Sequence, residues 1–219
     1  QPTFCTNGSV RKLKIVSHNS NNDGINPDSC TDVLIEDCYL DQSDDCLAIK
    51  AGRDNSAWRS GRPCQNIVIR NMPSNFDGVA IGSECSGGVR NVFVYDCDYE
   101  DGNILYCKSN LDRGGFIKDI YIKNLNVGKA RILRLRNNYH GYRGGNFPTE
   151  FRNINIENVN IGEGSDETIS VAGVEKALVY DVFLKNIVVD TVRPPVLHLR
   201  LVENIVLTNV SIAGKIQPS

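Results

Sequence analysis

Ile154-Asn155-Ile156-Glu157-Asn158-Val159 alternates apolar and polar residues, turns on an asparagine and becomes apolar again. A period of two puts both isoleucines on one side, which is the pattern of a strand with a single buried face. The pattern recurs at Leu13-Lys14-Ile15, Val33-Leu34-Ile35-Glu36, Ile67-Val68-Ile69-Arg70 and Val92-Phe93-Val94-Tyr95. It continues through Ile120-Tyr121-Ile122-Lys123, Val182-Phe183-Leu184-Lys185 and Ile205-Val206-Leu207-Thr208. With the opening stretch these make roughly eight copies, about 20 to 34 residues apart, which is a solenoid period. Gly, Asn and Asp gather between them, and no long amphipathic helix is written there.

A second strand follows in most copies. Cys46-Leu47-Ala48-Ile49-Lys50, Gly78-Val79-Ala80-Ile81-Gly82 and Ile104-Leu105-Tyr106-Cys107-Lys108 align without gaps. So do Ile132-Leu133-Arg134-Leu135-Arg136, Thr168-Ile169-Ser170-Val171-Ala172 and Val196-Leu197-His198-Leu199-Arg200. Their second and fourth positions are apolar and point inward; the third and fifth point outward. Gapless register between repeats argues against a flat β-sandwich. It predicts an all-β, right-handed parallel β-helix, one solenoid domain over residues 1–219. Asn71, Asn124, Asn158, Asn186 and Asn209 recur in the turns, where asparagine accepts left-handed backbone and stacks into ladders.

Of the 219 residues, 41% are hydrophobic and 23% charged, with a net charge of -2. That balance gives no argument for nucleic acid or a membrane surface as partner, and no apolar run is long enough to cross a bilayer as a helix. The chain opens at Gln1 and enters a patterned strand almost at once, which suggests processing or truncation. Its eight cysteines contain no CxxC pair, so a zinc site is not indicated. An even count permits disulfides, Cys46 with Cys64 among the options, and buried thiols equally.

Stacking brings equivalent positions to about 4.8 Å. Asp23-Gly24, Asp45-Cys46 and Asp77-Gly78 each stand just before the same inward position, and Asp44 adjoins Asp45. Asp-Gly and Asp-Asp are also ordinary turn residues. A column of carboxylates, however, repels itself and raises at least one pKa, a cost that points to a site. The outward columns then turn basic: Lys50, Lys108, Arg136 and Arg200 in one, Tyr106, Arg134 and His198 in the other, with Arg53 and Arg113 just past the strands. Part of this stripe reads as a solvated face. Beside carboxylates, the cations would suit the uronate groups of an acidic polysaccharide, and Tyr106 could stack on a sugar ring.

Four segments carry a family resemblance. Asn21-Asn22-Asp23-Gly24-Ile25-Asn26-Pro27-Asp28-Ser29-Cys30 resembles the Asn-Thr-Asp motif of the polygalacturonases, glycoside hydrolase family 28. Asp44-Asp45-Cys46-Leu47-Ala48-Ile49-Lys50-Ala51-Gly52-Arg53-Asp54 resembles their Asp-Asp motif. Ile81-Gly82-Ser83-Glu84-Cys85-Ser86-Gly87-Gly88-Val89 is similar to the segment after their Gly-His-Gly motif. Leu105-Tyr106-Cys107-Lys108-Ser109-Asn110, with Arg113-Gly114-Gly115, resembles their Arg-Ile-Lys motif, and bacterial members look most similar. The resemblance implies a parallel β-helix that hydrolyses α-1,4-galacturonosyl bonds of pectin with inversion, without metal or other cofactor, in a secreted or periplasmic protein. Asp44 would be the general acid, and Asp23 with Asp45 would activate water. Lys108 would hold a uronate, with Asn21, Asp77, Tyr106, Arg113 and Arg136 as further substrate contacts. An inverting site calls for carboxyl groups about 6.5–9.5 Å apart.

Three departures are visible. The Gly-His-Gly slot reads Asn75-Phe76-Asp77-Gly78, which puts Phe76 at the histidine, and Tyr106 replaces the arginine. About one coil precedes the first motif where the family has several, so a strand edge is expected to be exposed or covered by a partner or a missing segment. Hydrolysis of a related backbone such as rhamnogalacturonan, binding of acidic polysaccharide without cleavage, and calcium-dependent lyase chemistry are the other readings.

Overall fold

The computed structural model describes residues 1–73 and 76–217. It is a right-handed parallel β-helix built on a 13-stranded sheet among the described residues. One ladder carries the alternating copies in unbroken register: Val10 pairs with Ile35, Ile35 with Ile69, Ile69 with Val94, and Val94 with Ile122. Ile122 then pairs with Ile156, Ile156 with Leu184, and Leu184 with Leu207. A one-residue slip would turn this whole column outward, so burial itself fixes the register.

The first copy is corrected. Ser9-Val10 begins the ladder, within strand Thr6–Arg11, whereas Lys14–Ser17 lies past a corner and pairs with Tyr39–Gln42 in a separate two-stranded sheet. Lys12 at φ 53° makes that corner, and Leu13 is left exposed.

Each coil turns where a residue adopts left-handed backbone. Asp96, Asn124, Asn158, Asn186 and Asn209 lie between φ 52° and 57°. Their amides form a ladder from coil to coil: Asn124 Nδ2 donates to Asp96 Oδ1 (2.9 Å), Asn158 to Asn124 (3.2 Å), Asn186 to Asn158 (3.0 Å) and Asn209 to Asn186 (3.0 Å). Asparagine suits both demands, because its short amide tolerates that conformation and offers a donor and an acceptor.

The second ladder carries the outward columns. Ile49 pairs with Ile81, Ile81 with Cys107, Cys107 with Leu135, Leu135 with Val171, and Val171 with Leu199. All are fully buried except in the last rung, where Leu197 is 48% and Leu199 40% exposed because no described strand stacks beyond them. No disulfide forms, Cys46 to Cys64 included. Burial pushes both of those thiols up to about 12, so they behave as small apolar groups.

Extra residues enter at the corner just past the second ladder. One insertion is the seven-residue helix Asp54–Ser60, which the sequence periodicity did not reveal. It closes on Gly61, in left-handed backbone, whose N–H donates to the Ala57 carbonyl.

Candidate active site

Two glycines explain why the acidic turns converge. A Cβ on Gly24 would stand 2.3 Å from the Cys46 carbonyl oxygen, and one on Gly78 would stand 1.4 Å from that of Asn103. Successive backbones meet at this corner, so only glycine fits. The Gly24 N–H donates to the Asp45 carbonyl and the Ile25 N–H to that of Cys46, both at 3.0 Å. The preceding aspartates are carried together. Asp23, Asp44 and Asp45 each offer an oxygen within 4.8 Å of the others. The cluster is tighter than the 6.5–9.5 Å expected of an inverting pair, because neighbouring rungs are only one strand spacing apart.

The three carboxylates differ in their partners. Asp23 Oδ2 accepts from Asn26 Nδ2 at 2.6 Å and pairs with Lys50 Nζ at 3.2 Å; Lys50 also reaches Glu84 at 3.3 Å. Asp45 is paired to Lys108. Asp44 Oδ1 accepts the Asp45 N–H at 2.9 Å, and no lysine or arginine among the described residues pairs with it.

Burial raises the pKa of Asp45. Lys108 opposes the shift, and the Asp44 and Asp23 charges add to it. Lys108 is raised too: burial disfavours its charge, but Asp45 more than compensates. Burial also works against the Lys50 cation, yet Glu84 and Asp23 leave it raised.

Asp77 is the fourth carboxyl. Its Oδ1 accepts the Cys46 N–H at 3.1 Å, and burial, with Asp45 nearby, pushes it up to about 6. Phe76, at the histidine position of the letter match, takes no part in the cluster. That ring is 2% exposed and packs edge-on against Tyr99 at 5.4 Å, inside the core. Phe76 and Asp77 are neighbours and take opposite sides of the backbone, so Asp77, directly before Gly78, is the residue beside the carboxylates. Asn75 lies outside the described residues.

The basic stripe divides into spent and unspent cations. Arg113, expected to meet substrate, is 3% exposed; its Nη1 pairs with Asp54 at 2.8 Å and its Nε donates to the Ser83 carbonyl at 2.9 Å. The short helix explains this, since it brings up Asp54 and lets Trp58 Nε1 donate to the Arg113 carbonyl at 3.0 Å. Arg136 is half-buried and has no carboxylate partner among the described residues. Tyr106 meets Tyr139 edge-on at 6.5 Å, and Lys108 Nζ lies 5.1 Å from the Tyr106 ring centre. Asn21 is exposed, at φ 57°. Sequence reasoning missed Asn26, Glu84 and Tyr139. Asn26 and Glu84 stood inside the quoted motifs, whereas Tyr139 sits in a loop with no periodicity to flag it.

The model of the glycosyl hydrolases family 28 matches residues 4–206. The chain belongs to that family. Among curated relatives, a probable polygalacturonase of Vitis vinifera is 32% identical over 180 residues, covering 78% of this chain and 36% of the relative. A polygalacturonase of Ralstonia nicotianae is 27% identical over 186 residues, covering 80% of this chain and 34% of its own. The chain thus spans about a third of the length of these relatives. Among solved structures, a hyperthermoactive exopolygalacturonase from Thermotoga maritima superposes with a TM-score of 0.76 at 27% identity, covering 96% of this chain and 45% of that one. For a family 28 chain, the carboxylate cluster at the strand corner is the natural place to look for glycosidic chemistry.

Proposed function

We propose that this chain carries the hydrolytic centre of a secreted or periplasmic polygalacturonase, cleaving α-1,4-galacturonosyl bonds of pectin with inversion. The observation that carries the reading is the asymmetry within one cluster: Asp23 and Asp45 are each held by a lysine, while Asp44 is not. The lysines fix Asp23 and Asp45 where they can orient a water and take its proton, and Asp44, held by no lysine, is the carboxyl left to serve the departing oxygen. A single water fits between oxygens no more than 4.8 Å apart, hydrogen-bonded to both Asp23 and Asp45. As it attacks the anomeric carbon, Asp44 protonates the departing glycosidic oxygen, and Lys108 steadies both Asp45 and a uronate. Inversion follows from a single displacement by water.

The close spacing favours one second reading, retention through a covalent intermediate, for which carboxyl groups about 5–5.5 Å apart are usual. Proton NMR of the first-formed reducing end separates the two: the inverted anomer supports direct attack by water, and the retained anomer overturns it. The reaction itself is tested by reducing-sugar release from polygalacturonate and from rhamnogalacturonan, with Asp44→Asn beside the parent. Release from polygalacturonate, abolished in the variant and indifferent to chelator, is expected. Release from rhamnogalacturonan alone would move the assignment to that backbone. Binding without turnover would reject the hydrolase.

A further inference from the structure

Cys5, Cys30 and Cys64 occupy one position in three successive coils, because Thr6 pairs with Thr31 and Thr31 with Gln65. The Thr31 N–H donates to the Cys5 carbonyl at 2.9 Å, and the Gln65 N–H to that of Cys30 at 2.8 Å. The residue before each of the first two, Phe4 at φ 56° and Ser29 at φ 54°, makes the same left-handed corner. Strand spacing puts such neighbours about 4.8 Å apart at Cα, inside the range of about 4.4–6.8 Å that a disulfide spans. The Cys5 and Cys30 thiols are near enough to interact. Cys5 and Cys64 are two strand spacings apart, about 9.6 Å, so the column is a succession of pairs and not a three-thiol metal cradle.

The two pairs in the column differ in access. Of the eight cysteines only Cys5 is exposed; Cys30 and Cys64 are fully buried. The Cys30 thiol donates to the Asp28 carbonyl at 3.3 Å and the Pro2 carbonyl at 3.4 Å, and that of Cys64 to the Pro27 carbonyl at 3.6 Å. Thiol–disulfide exchange begins at a thiol that an outside disulfide can reach, so here it begins at Cys5. The Cys5 sulfur attacks a low-molecular-weight disulfide such as oxidised glutathione, forms a mixed disulfide and releases one small thiol. The Cys30 sulfur then displaces the second small thiol, which carries off the Cys30 proton. Two protein thiols lose two electrons and two protons, and one small disulfide becomes two small thiols.

We propose that Cys5 and Cys30 are a disulfide-forming pair that closes residues 5–30, the whole coil carrying Asp23, into a covalent ring and braces it against opening. No residue of strands Thr6–Arg11 and Lys14–Ser17 is buried, so packing alone holds this coil weakly. The ring removes opened conformations that the reduced coil can visit, and Asp23 keeps its place beside Asp45. The use of the bond rests on the reading of Asp23 as one of the water-activating pair, and its formation on the oxidising surroundings of a secreted or periplasmic protein.

Peptide mapping after incubation of the chain with oxidised glutathione, with free thiols alkylated in urea, tests it. Cleavage before aspartates puts Cys5, Cys30 and Cys64 on separate peptides. The expected product is a Cys5–Cys30 cross-linked peptide, lighter than the two reduced peptides by two hydrogens. Oxidation should also slow native tryptic cleavage at Arg11, Lys12 and Lys14 on the order of 10- to 100-fold. Cys5→Ser, a change at an exposed position, should cancel both results, and Cys64→Ala should leave both in place. A Cys30–Cys64 cross-link, a glutathione adduct that stays on Cys5, or a Cys5–Cys30 cross-link that leaves the cleavage rate unchanged overturns the inference. Turnover is scored separately. If polygalacturonate is cleaved but no Cys5–Cys30 peptide appears, the hydrolase stands and the ring falls. If the ring forms and protects but nothing is cleaved, the ring stands and the hydrolase falls.

Discussion

The asparagine corner and the aspartate corner are made by the same operation, a polar residue repeated from coil to coil, and they arrive at opposite electrostatic results. At the first, each amide donates to the one before it, from Asn209 through Asn186 and Asn158 to Asn124, and no side chain is charged until Asp96. Each bond adds about 1 kcal/mol net. At the second, stacking forces Asp23, Asp45 and Asp77 together with Asp44, and the structure needs Lys50 and Lys108 to hold them. A neutral ladder is where repetition stabilises; a charged one is where repetition is tolerated for the chemistry it allows.

The contrast breaks first on activity. Asp45→Asn removes one charge from the crowded corner and should cost on the order of a thousandfold in kcat, measured as reducing sugar from polygalacturonate, because the attacking water loses its base. Parent-like turnover would show that Asp23 suffices. Lys108→Met should lower stability by about 3 kcal/mol in urea unfolding, since it leaves Asp45 partly buried and unpaired. A loss under about 1 kcal/mol would mean that water screens Asp45 well. At the other corner, Asn158→Ala removes two ladder bonds and places a less tolerant residue at φ 55°, so about 2 kcal/mol should be lost with activity intact.

The smallest effect has the opposite sign. Asp77 holds its proton to a higher pH in the native protein, about 6, than in the unfolded chain, so native stability falls as pH rises through the window from about 4 to about 6. Asp77→Asn keeps an acceptor for the Cys46 N–H and removes that dependence. It should stabilise by about 1–2 kcal/mol at pH 7 and by nothing below pH 4, read by calorimetric melting at the two pH values. Equal melting shifts at both would assign the gain to packing instead of charge.

The strands were legible because one register is enforced on every coil: the alternation at Ile154–Ile156 is the alternation at Ile120–Ile122, and each predicts the other. The carboxylates were legible for the same reason, since Asp23, Asp45 and Asp77 hold one position relative to inward residues. What escaped lies off the repeat. Leu13-Lys14-Ile15 imitates the ladder but falls past the corner at Lys12, and apolar alternation alone does not say on which face a short strand lies. Phe76, which the letter match puts at the family's histidine, shows its core role only once folded, where it packs on Tyr99 while its neighbour Asp77 meets the corner. Arg113 looked free because its acid, Asp54, stands on a helix too short to leave a period in the sequence. Tyr139 reaches the site from a loop, where only the folded chain determines proximity.

The ladders keep step although successive coils differ in length, and the surplus goes into the corner beyond the second ladder, where the helix Asp54–Ser60 and the residue 137–148 loop emerge. Those two excursions supply Asp54 to Arg113 and Tyr139 to Tyr106. The architecture thus separates a fixed frame from an editable vocabulary: segments of new length can be spliced into that corner without moving a rung. Exchanging residues 138–148 for another loop would therefore change what stands beside Tyr106 while the carboxylate corner keeps its place.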